Sequence, residues 1–204
     1  MLGCFILMIM TDGGIYNNEV YFVTTDKVLA DYFSKLSREL WNKTPRINHF
    51  KQKHYRWMKL RIRDREVAKL INMLTNGKQR IPSFIMNEQD YNIIAEYLRI
   101  VSSTDGGVVF YQNKRNDGYM RTERHIIIGC KNPIIKEQLK KLFSRIDIQV
   151  RLVKEGLRIS GRKNLQKFRE KVSFIPDCKV TMKSPCWRYF SKNQVLNLML
   201  ESYA

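Results

Sequence analysis

One five-residue pattern occurs twice in the sequence, and each copy carries a carboxylate. Thr11-Asp12-Gly13-Gly14-Ile15 is followed 93 residues later by Thr104-Asp105-Gly106-Gly107-Val108. Each copy ends an apolar helical stretch and begins a β-rich one, with Gly-Gly as a typical helix terminator. If the two helices pack side by side, Asp12 and Asp105 lie close together. Paired carboxylates form a hard oxygen site for Mg²⁺ or Mn²⁺, ions that activate water and stabilise a leaving oxyanion at a phosphate.

The metal-site interpretation depends on the fact that both Asp-Gly-Gly turns follow an apolar helix and precede a β-rich segment. A single Asp-Gly pair is most often only a turn. Two nearby carboxylates without a metal ion would repel each other, and each would stand at the unfavourable end of a helix dipole. The repetition therefore favours a functional pair over two coincidental turns.

The charge of the chain points to a polyanionic partner. The sequence has 37 Lys and Arg against 19 Asp and Glu, which gives a net charge of +18 and a pI near 9.9. Such an excess repels itself in a compact fold, so it indicates a nucleic-acid partner, with a merely basic, solvated surface as the alternative. An enzyme acting on a small acidic ligand would not need it.

Composition excludes several classes of protein. A length of 204 residues with 44% hydrophobic residues is typical of one compact unit or two small, tightly joined ones. The longest apolar run, Cys4 to Met10, is too short to span a bilayer and lacks the flanks of a signal peptide, so no membrane is expected. The four cysteines and three histidines show no zinc spacing. Reduced thiols predict an intracellular protein, cytoplasmic or organellar.

The segments downstream of each Asp also correspond. Strand, helix, hairpin and helix are predicted at 20–25, 26–40, 45–63 and 64–74, and again at 124–130, 132–143, 147–161 and 162–172. With the leading helices, each half has the order αββαββα, so the predicted fold is of the α/β (α+β) class with two pseudo-twofold-related repeats. The predicted division is an N-terminal repeat at 1–75, a linker at 76–87 and a C-terminal repeat at 88–204.

The predicted hairpins carry much of the excess charge. Placing Met58, Leu60 and Ile62 inward exposes Tyr55, Trp57, Lys59 and Arg61 on one face, and an inward Ile148, Val150 and Leu152 does the same for Gln149 and Arg151. A twisted antiparallel sheet with such a face can lie in the major groove of DNA. A solvated sheet face is the alternative. The candidate DNA-binding residues are Arg46, Lys51, Tyr55, Trp57, Lys59, Arg61, Arg121, Gln149, Arg151 and Arg158.

Two motifs resemble a known family. Phe5-Ile-Leu-Met-Ile-Met-Thr-Asp12-Gly13 and Leu98-Arg-Ile-Val-Ser-Ser-Thr-Asp105-Gly106 are similar to the paired motifs of LAGLIDADG homing endonucleases. The run from Ile159 to Val172 and the run from Ile81 to Ile85 are also similar to family signatures. The resemblance covers nearly the whole chain, and the pair of motifs at this spacing is its specific part.

The resemblance implies a single chain that imitates a dimer, with a saddle of two four-stranded sheets over DNA. It implies cleavage of both strands with divalent metal ions at the final acid of each motif, here Asp12 and Asp105. A surrounding pocket of basic and polar residues orders water and neutralises phosphate charge in that family. By position, the candidates are Lys78 and Arg80 after the first half, Lys179 and Lys183 after the second, and Thr25 or Asp26 and Lys131 at strand ends.

The chain departs from the family pattern at two places. The third motif position is usually small, which allows close helix contact, but here it holds Leu7 and Ile100. Ser102 and Ser103 are more polar than usual. These residues predict a wider or shifted helix interface.

The sequence thus predicts a monomeric, metal-dependent, site-specific double-strand DNA endonuclease, encoded within an intron. The alternative is a non-catalytic nucleic-acid binder on the same scaffold, either an intron RNA maturase or a DNA-binding regulator. Retention of both motif acids favours the nuclease, and a maturase role toward intron RNA can coexist with cleavage.

Overall fold

The computed structural model describes residues 1–52, 55–114, 118–180, 186–188 and 190–203, and for Tyr55 it describes the backbone. These ranges form eight helices and eight strands, in the order α1 Leu2–Met10, β1 Gly13–Tyr16, β2 Glu19–Thr24, α2 Lys27–Trp41, β3 Arg46–Gln52, β4 Tyr55–Arg63, α3 Arg65–Thr75, α4 Ser83–Met86, α5 Tyr91–Asp105, β5 Gly106–Lys114, β6 Met120–Gly129, α6 Pro133–Arg145, β7 Arg151–Val153, β8 Gly156–Ser160, α7 Arg162–Lys171 and α8 Lys192–Glu201. The predicted α+β class and the order αββαββα in each half are confirmed, and α4 and α8 are additions to that order.

Two antiparallel sheets have the same topology. Their strand orders are β1-β2-β4-β3 and β5-β6-β8-β7. One face of each sheet packs into the core, because apolar residues alternate along the strands. The buried residues of that face include Val20, Phe22, Leu60 and Ile62 in the first sheet, and Val108, Ile126, Ile128, Leu157 and Ile159 in the second.

Helices α1 and α5 pack against each other at the centre of the core. All residues of α1 from Gly3 to Ile9 are buried, as expected for a helix that is apolar on every side. The departures from the family pattern are accommodated here, because Leu7 and Ile100 are both buried in the core. At Gly3, the ring of Tyr97 from α5 packs directly against the backbone of α1, where any Cβ would collide with it.

Local signals in the sequence determine the helix boundaries. The side chains of Asp26, Asp64 and Asn132 accept hydrogen bonds from backbone N–H groups in the first turns of α2, α3 and α6. Helices α2 and α3 end in the left-handed region at Asn42 and Asn76.

One predicted strand is much shorter than expected. The stretch 147–154 contains a strand only at Arg151–Val153. The preceding residues leave α6 through a left-handed turn at Asp147, with φ of 61°, and Ile148 N donates to Phe143 O at 3.0 Å. The side chain of Asn164 binds both the N–H and the C=O of Gln149. These bonds remove the backbone groups that a longer strand would need, so Gln149 lies outside the sheet.

No helix within the described ranges has the length and apolar character needed to cross a membrane.

Candidate functional site

The two motif acids lie at the ends of α1 and α5, where β1 and β5 begin. Hydrogen bonds at the two helix ends are equivalent. The Thr11 hydroxyl donates to Leu7 O at 3.0 Å, and the Thr104 hydroxyl donates to Ile100 O at 3.0 Å. The carboxyl groups of Asp12 and Asp105 are close enough to share a hydrogen bond. The predicted meeting of the two acids is therefore present in the structure.

The glycine after each acid allows the chain to turn back against its own helix. A Cβ at Gly13 would lie 2.7 Å from Ile9 Cα, and a Cβ at Gly106 would collide with Ser102 O. Ile9 and Ser102 stand at equivalent positions of the repeat. The glycines of the motif thus fix where each carboxylate stands.

The surroundings raise the pKa of both acids. Burial, followed by the charge of Asp12, raises the pKa of Asp105 to about 7. Desolvation also raises the pKa of Asp12, against the opposing charge of Lys192. Asp12 is exposed, whereas Asp105 is half-buried. Two neighbouring carboxylates with raised pKa values can share a proton, and a divalent cation can replace that proton.

Two lysines stand beside this pair in equivalent ways. Lys78 Nζ donates to Gly13 O at 2.6 Å, and Lys192 Nζ donates to Gly106 O at 2.7 Å. Lys192 also donates to Ser103 O at 2.6 Å and is only 3% exposed. Burial lowers the pKa of both lysines, and the two motif acids oppose that shift. Each half therefore ties one ammonium group to its own motif turn.

Each acid lines a cavity that is built from both halves. The cavity at Asp105 has a volume of about 200 Å³ and includes Lys78 from the first half. The cavity at Asp12 has a volume of about 310 Å³ and includes Lys192 from the second half. Thus each acid shares its cavity with the lysine of the opposite half. Of the two lysines predicted to be catalytic, Lys78 is at the site, and Lys183 lies outside the described residues.

Lys192 was missed because its position does not follow the repeat. The 93-residue offset applied to Lys78 gives Lys171, which instead donates to Ile146 O at 2.9 Å. The start of α8 could have been recognised from the sequence. Ser191 and Gln194 form a reciprocal capping box before an apolar run.

The other pocket candidates have different surroundings. Arg80 is exposed and does not line the two cavities. Lys131 lines the cavity of Asp105, and Thr25 and Lys179 line that of Asp12. The carboxylate of Asp26 also borders that cavity, but it already accepts backbone hydrogen bonds from Val28 and Lys179.

The unusual serines of the second motif are both fully buried. Ser103 Oγ accepts a hydrogen bond from Ile175 N at 2.8 Å, which anchors the segment after α7 to the motif helix. The hydroxyl of Ser102 has no hydrogen-bond partner among the described residues.

Most candidate DNA-binding residues share the face of each sheet that points away from the core. Strand alternation places Trp57, Lys59 and Arg61 on that face of β4, opposite Phe50, Asn48 and Arg46 of β3, respectively. Arg121, Arg151 and Arg158 occupy the corresponding face of the second sheet. Each of these faces thus combines positive charge with polar or aromatic side chains.

Three candidates are placed differently. Lys51 pairs with Arg56 across the strands, on the opposite face from Trp57 and Lys59. Gln149 is exposed outside the sheet. Tyr55 lies in β4, and the structure describes only its backbone.

Each sheet has two arginines directly opposite each other at equivalent strands. Arg46 faces Arg61, and Arg151 faces Arg158. Like charges at directly opposed positions destabilise a sheet. The described residues supply one carboxylate near these pairs, Glu19, at 3.9 Å from Arg61. The repeated arrangement is explained if a polyanion covers both faces.

The donor set fits a hard divalent cation. Carboxylates are preferred ligands of Mg²⁺, which is commonly held by one or two of them together with water and phosphate oxygens. No group of three or more acidic, His or Cys side chains in the described part of the chain could hold a metal ion. Asp12 and Asp105 would therefore supply the side-chain ligands, and solvent and substrate would supply the rest.

Comparisons with known proteins identify the fold. No protein-family model matches the sequence, and no curated protein matches it. Mesophilic variants of the homing endonuclease I-DmoI match with a TM-score of 0.58 over 85% of this chain and 96% of theirs, at 13% identity. An I-DmoI variant bound to its target DNA in the presence of Mg matches with 0.57 over 84% and 94%, at 16% identity. Full-length DUF199/WhiA from Thermatoga maritima gives 0.61 over 100% of this chain and 60% of that one, at 13% identity.

The chain therefore has the LAGLIDADG fold. The fold that was predicted from the paired motifs is confirmed, although the sequences differ at most positions.

Proposed function

We propose that this chain is a site-specific, double-strand DNA endonuclease of the homing endonuclease type. One observation carries the proposal: Asp12 and Asp105 are within hydrogen-bonding distance, and each lines a cavity with the lysine of the opposite half. Two equivalent cavities beside one acid pair are suited to two phosphodiester bonds, one on each strand. The similarity to I-DmoI in complex with its target DNA supports the same interpretation.

The opposed arginine pairs support double-stranded DNA as the partner. Arg46 with Arg61 and Arg151 with Arg158 place matched charges on two sheets of one chain. The net charge of +18 agrees with neutralisation of many phosphates. Because one chain supplies both sheets and both cavities, we propose that it acts as a monomer.

The residues of the chain perform distinct parts of the proposed reaction. Asp12 and Asp105 would hold Mg²⁺ or Mn²⁺, which when bound supplies activation of water and stabilisation of charge at the phosphate. Lys78 and Lys192 place positive charge beside the acids and stay in position because each donates to a glycine carbonyl. Their ammonium groups neutralise phosphate charge and orient water in the cavity.

The proposal is tested with Asp12→Asn and Asp105→Asn. A randomised DNA library incubated with Mg²⁺ and the wild-type chain first identifies the target site from its cut ends. On that site, each variant should lose double-strand cleavage and keep an affinity within about threefold of the wild type, because the base contacts lie on the sheets. Asp31→Asn, an exposed position on α2, is the charge-matched control and should cut normally.

Two results would contradict the nuclease assignment. Normal cleavage by both motif variants would remove the acids from the active site. Specific binding by a wild-type chain that never cuts in Mg²⁺ or Mn²⁺ would instead support the non-catalytic binder, a maturase or regulator.

A further inference from the structure

The helix-start residue Asp26 makes a bond that its helix does not need. Its Oδ1 accepts from Val28 N at 2.9 Å, which caps α2. Its Oδ2 accepts from Lys179 N at 2.6 Å, 153 residues along the chain. The first half of the molecule is thereby tied to the segment of the second half that precedes α8.

Backbone bonds connect this segment to Lys192, the first residue of α8. Lys192 N donates to Cys178 O at 2.8 Å, and Lys179 pairs with Ser191 in an isolated β-bridge. A bond at Lys179 N therefore restrains the backbone from which the Lys192 side chain extends toward Gly106.

Asn132, at the start of α6 in the second half, makes an equivalent bond to a segment of the first half. Its Oδ1 caps α6 by accepting from Ile134 N at 2.9 Å and Ile135 N at 3.2 Å. Its Nδ2 donates to the backbone oxygen and to Oε1 of Gln79, both at 3.2 Å. Gln79 directly follows Lys78, so this bond restrains the lysine segment of the first half.

The choice of side chain matches the group that is bound. Lys179 offers an N–H, which requires the acceptor that a carboxylate provides, and Gln79 offers two oxygens, which require the donor that an amide provides. The cap of α3 differs, because Asp64 binds its own helix and Lys43 within the same half. Among the side-chain caps of α2, α3 and α6, those of α2 and α6 thus make a crossing bond.

We infer that Asp26 and Asn132 are positioning residues that set the catalytic lysines across the pseudo-twofold axis. Each holds the lysine of the opposite half in the cavity of its own half's acid: Asp26 holds Lys192 beside Asp12, and Asn132 holds Lys78 beside Asp105. The effect of these bonds on cleavage rests on the proposed function, whereas their effect on the lysines does not.

Exchanging the two side-chain types separates the crossing bond from the cap. Asp26→Asn and Asn132→Asp both keep an Oδ1 acceptor for the helix, but the first loses the acceptor for Lys179 N and the second loses the donor to Gln79. Asp64→Asn is the control, since it makes the same change at a cap without a crossing bond.

The first measurement is competitive acetylation of lysines in the full chain without DNA, read by mass spectrometry. Asn132→Asp should raise the reactivity of Lys78 about fivefold and leave that of Lys192 unchanged, and Asp26→Asn should do the reverse, as expected for loss of one hydrogen bond together, at Lys192, with loss of the nearby Asp26 charge. Asp64→Asn should change neither lysine. The inference is wrong if both lysines respond together in each variant, or if neither responds.

The second measurement is strand-resolved cleavage of the target site. Each exchange should slow one strand about fivefold, and the two exchanges should slow opposite strands, so that nicked DNA accumulates with opposite polarity. Equal slowing of both strands would indicate a general structural effect and overturn the inference. If the wild type cuts no DNA, the proposed function fails, while acetylation still decides whether the crossing bonds position the lysines.

Discussion

The two halves bring a lysine to the same place by different routes. Lys78 follows Asp12 by 66 residues, whereas Lys192 follows Asp105 by 87. In the first half, three consecutive left-handed residues after α3, Asn76 to Lys78 with φ of 49°, 63° and 68°, turn the chain toward the site. In the second half, the chain continues past α7 and returns through the start of α8.

The two halves share the contact between lysine and glycine carbonyl, although the lysines lie at different distances in sequence from their acids. Both ammonium groups reach a carbonyl of the equivalent glycine, at 2.6 and 2.7 Å. The two routes carry different energetic costs. A non-glycine residue such as Lys78 in the left-handed region carries backbone strain, which persists where surrounding structure enforces it. Lys192 avoids that strain but is almost fully buried, so its charge depends on its partners.

Removing each ammonium should give the largest effect. Lys78→Met and Lys192→Met should each reduce cleavage of one strand about 100-fold, because a positioned charge is lost from one cavity. The two variants should spare opposite strands. Strand-specific end labels on a linear substrate measure this directly, and nicked circles formed from a supercoiled substrate report cleavage of a single strand.

Lys171→Met is the matched control, since Lys171 is the residue that a strict repeat would select. It should cut both strands at the wild-type rate. Loss of both strands in Lys78→Met alone would show that one lysine acts on the whole site and would break the equivalence of the halves.

The same two variants should differ in stability. Lys192→Met should lower the free energy of unfolding by about 2 kcal/mol, because it leaves buried carbonyls without a donor. Lys78→Met should lower it by less than about 1 kcal/mol, since the half-exposed Gly13 carbonyl can bind water. Urea unfolding at fixed salt compares them. A larger loss in Lys78→Met would mean that the strained turn, and not burial, determines the cost.

Much of the fold could be predicted because its signals are local. Alternating apolar residues define β2 and β4, and Asp64 and Asn132 mark helix starts that the structure confirms. The length of the strand after α6 could not be predicted in this way. The shortened β7 depends on a tertiary contact, between Asn164 and the backbone of Gln149, that no local pattern shows.

The candidate site was predictable where it repeats or where a residue lies close to the end of a repeat. Asp12 and Asp105 could be paired because their turns are nearly identical, and Lys78 lies close enough to the end of its repeat to be selected by position. Lys192 could not, since an inserted segment breaks the offset. The pairing of Arg46 with Arg61 and of Arg151 with Arg158 could not be predicted either, because it depends on the register of β3 with β4 and of β7 with β8.

The two acids should differ in their effect on stability without metal. The pKa of Asp105, about 7 in the folded chain, lies above its ordinary value, so the folded state binds the proton more tightly. Its stabilising contribution is therefore complete at low pH and is lost as the pH rises through about 7. At about pH 8 in chelator, Asp105→Asn should raise the unfolding free energy by about 1 kcal/mol, and the more exposed Asp12 should give a smaller gain.

Added Mg²⁺ sharpens this comparison of the acids. It should stabilise the wild type at neutral pH and have little effect on Asp105→Asn. Thermal unfolding across pH, with and without Mg²⁺, tests both statements. A wild type whose stability rises between about pH 6 and 8 in chelator would contradict the assigned direction.

The smallest effects are expected when one arginine of each opposed pair is replaced. Arg46→Gln and Arg151→Gln should each reduce the slope of log affinity against log salt by about one, as for loss of one phosphate contact. Each should also raise the free energy of unfolding of the DNA-free chain, by about 0.5 kcal/mol or less, through relief of like-charge repulsion. The gain should be larger for Arg151, because Glu19 already offsets the charge of Arg61 in the first sheet.

Lys140→Gln, on the exposed side of α6, should leave the salt slope unchanged. Equal slopes for wild type and both arginine variants would exclude these sheet faces from the DNA interface.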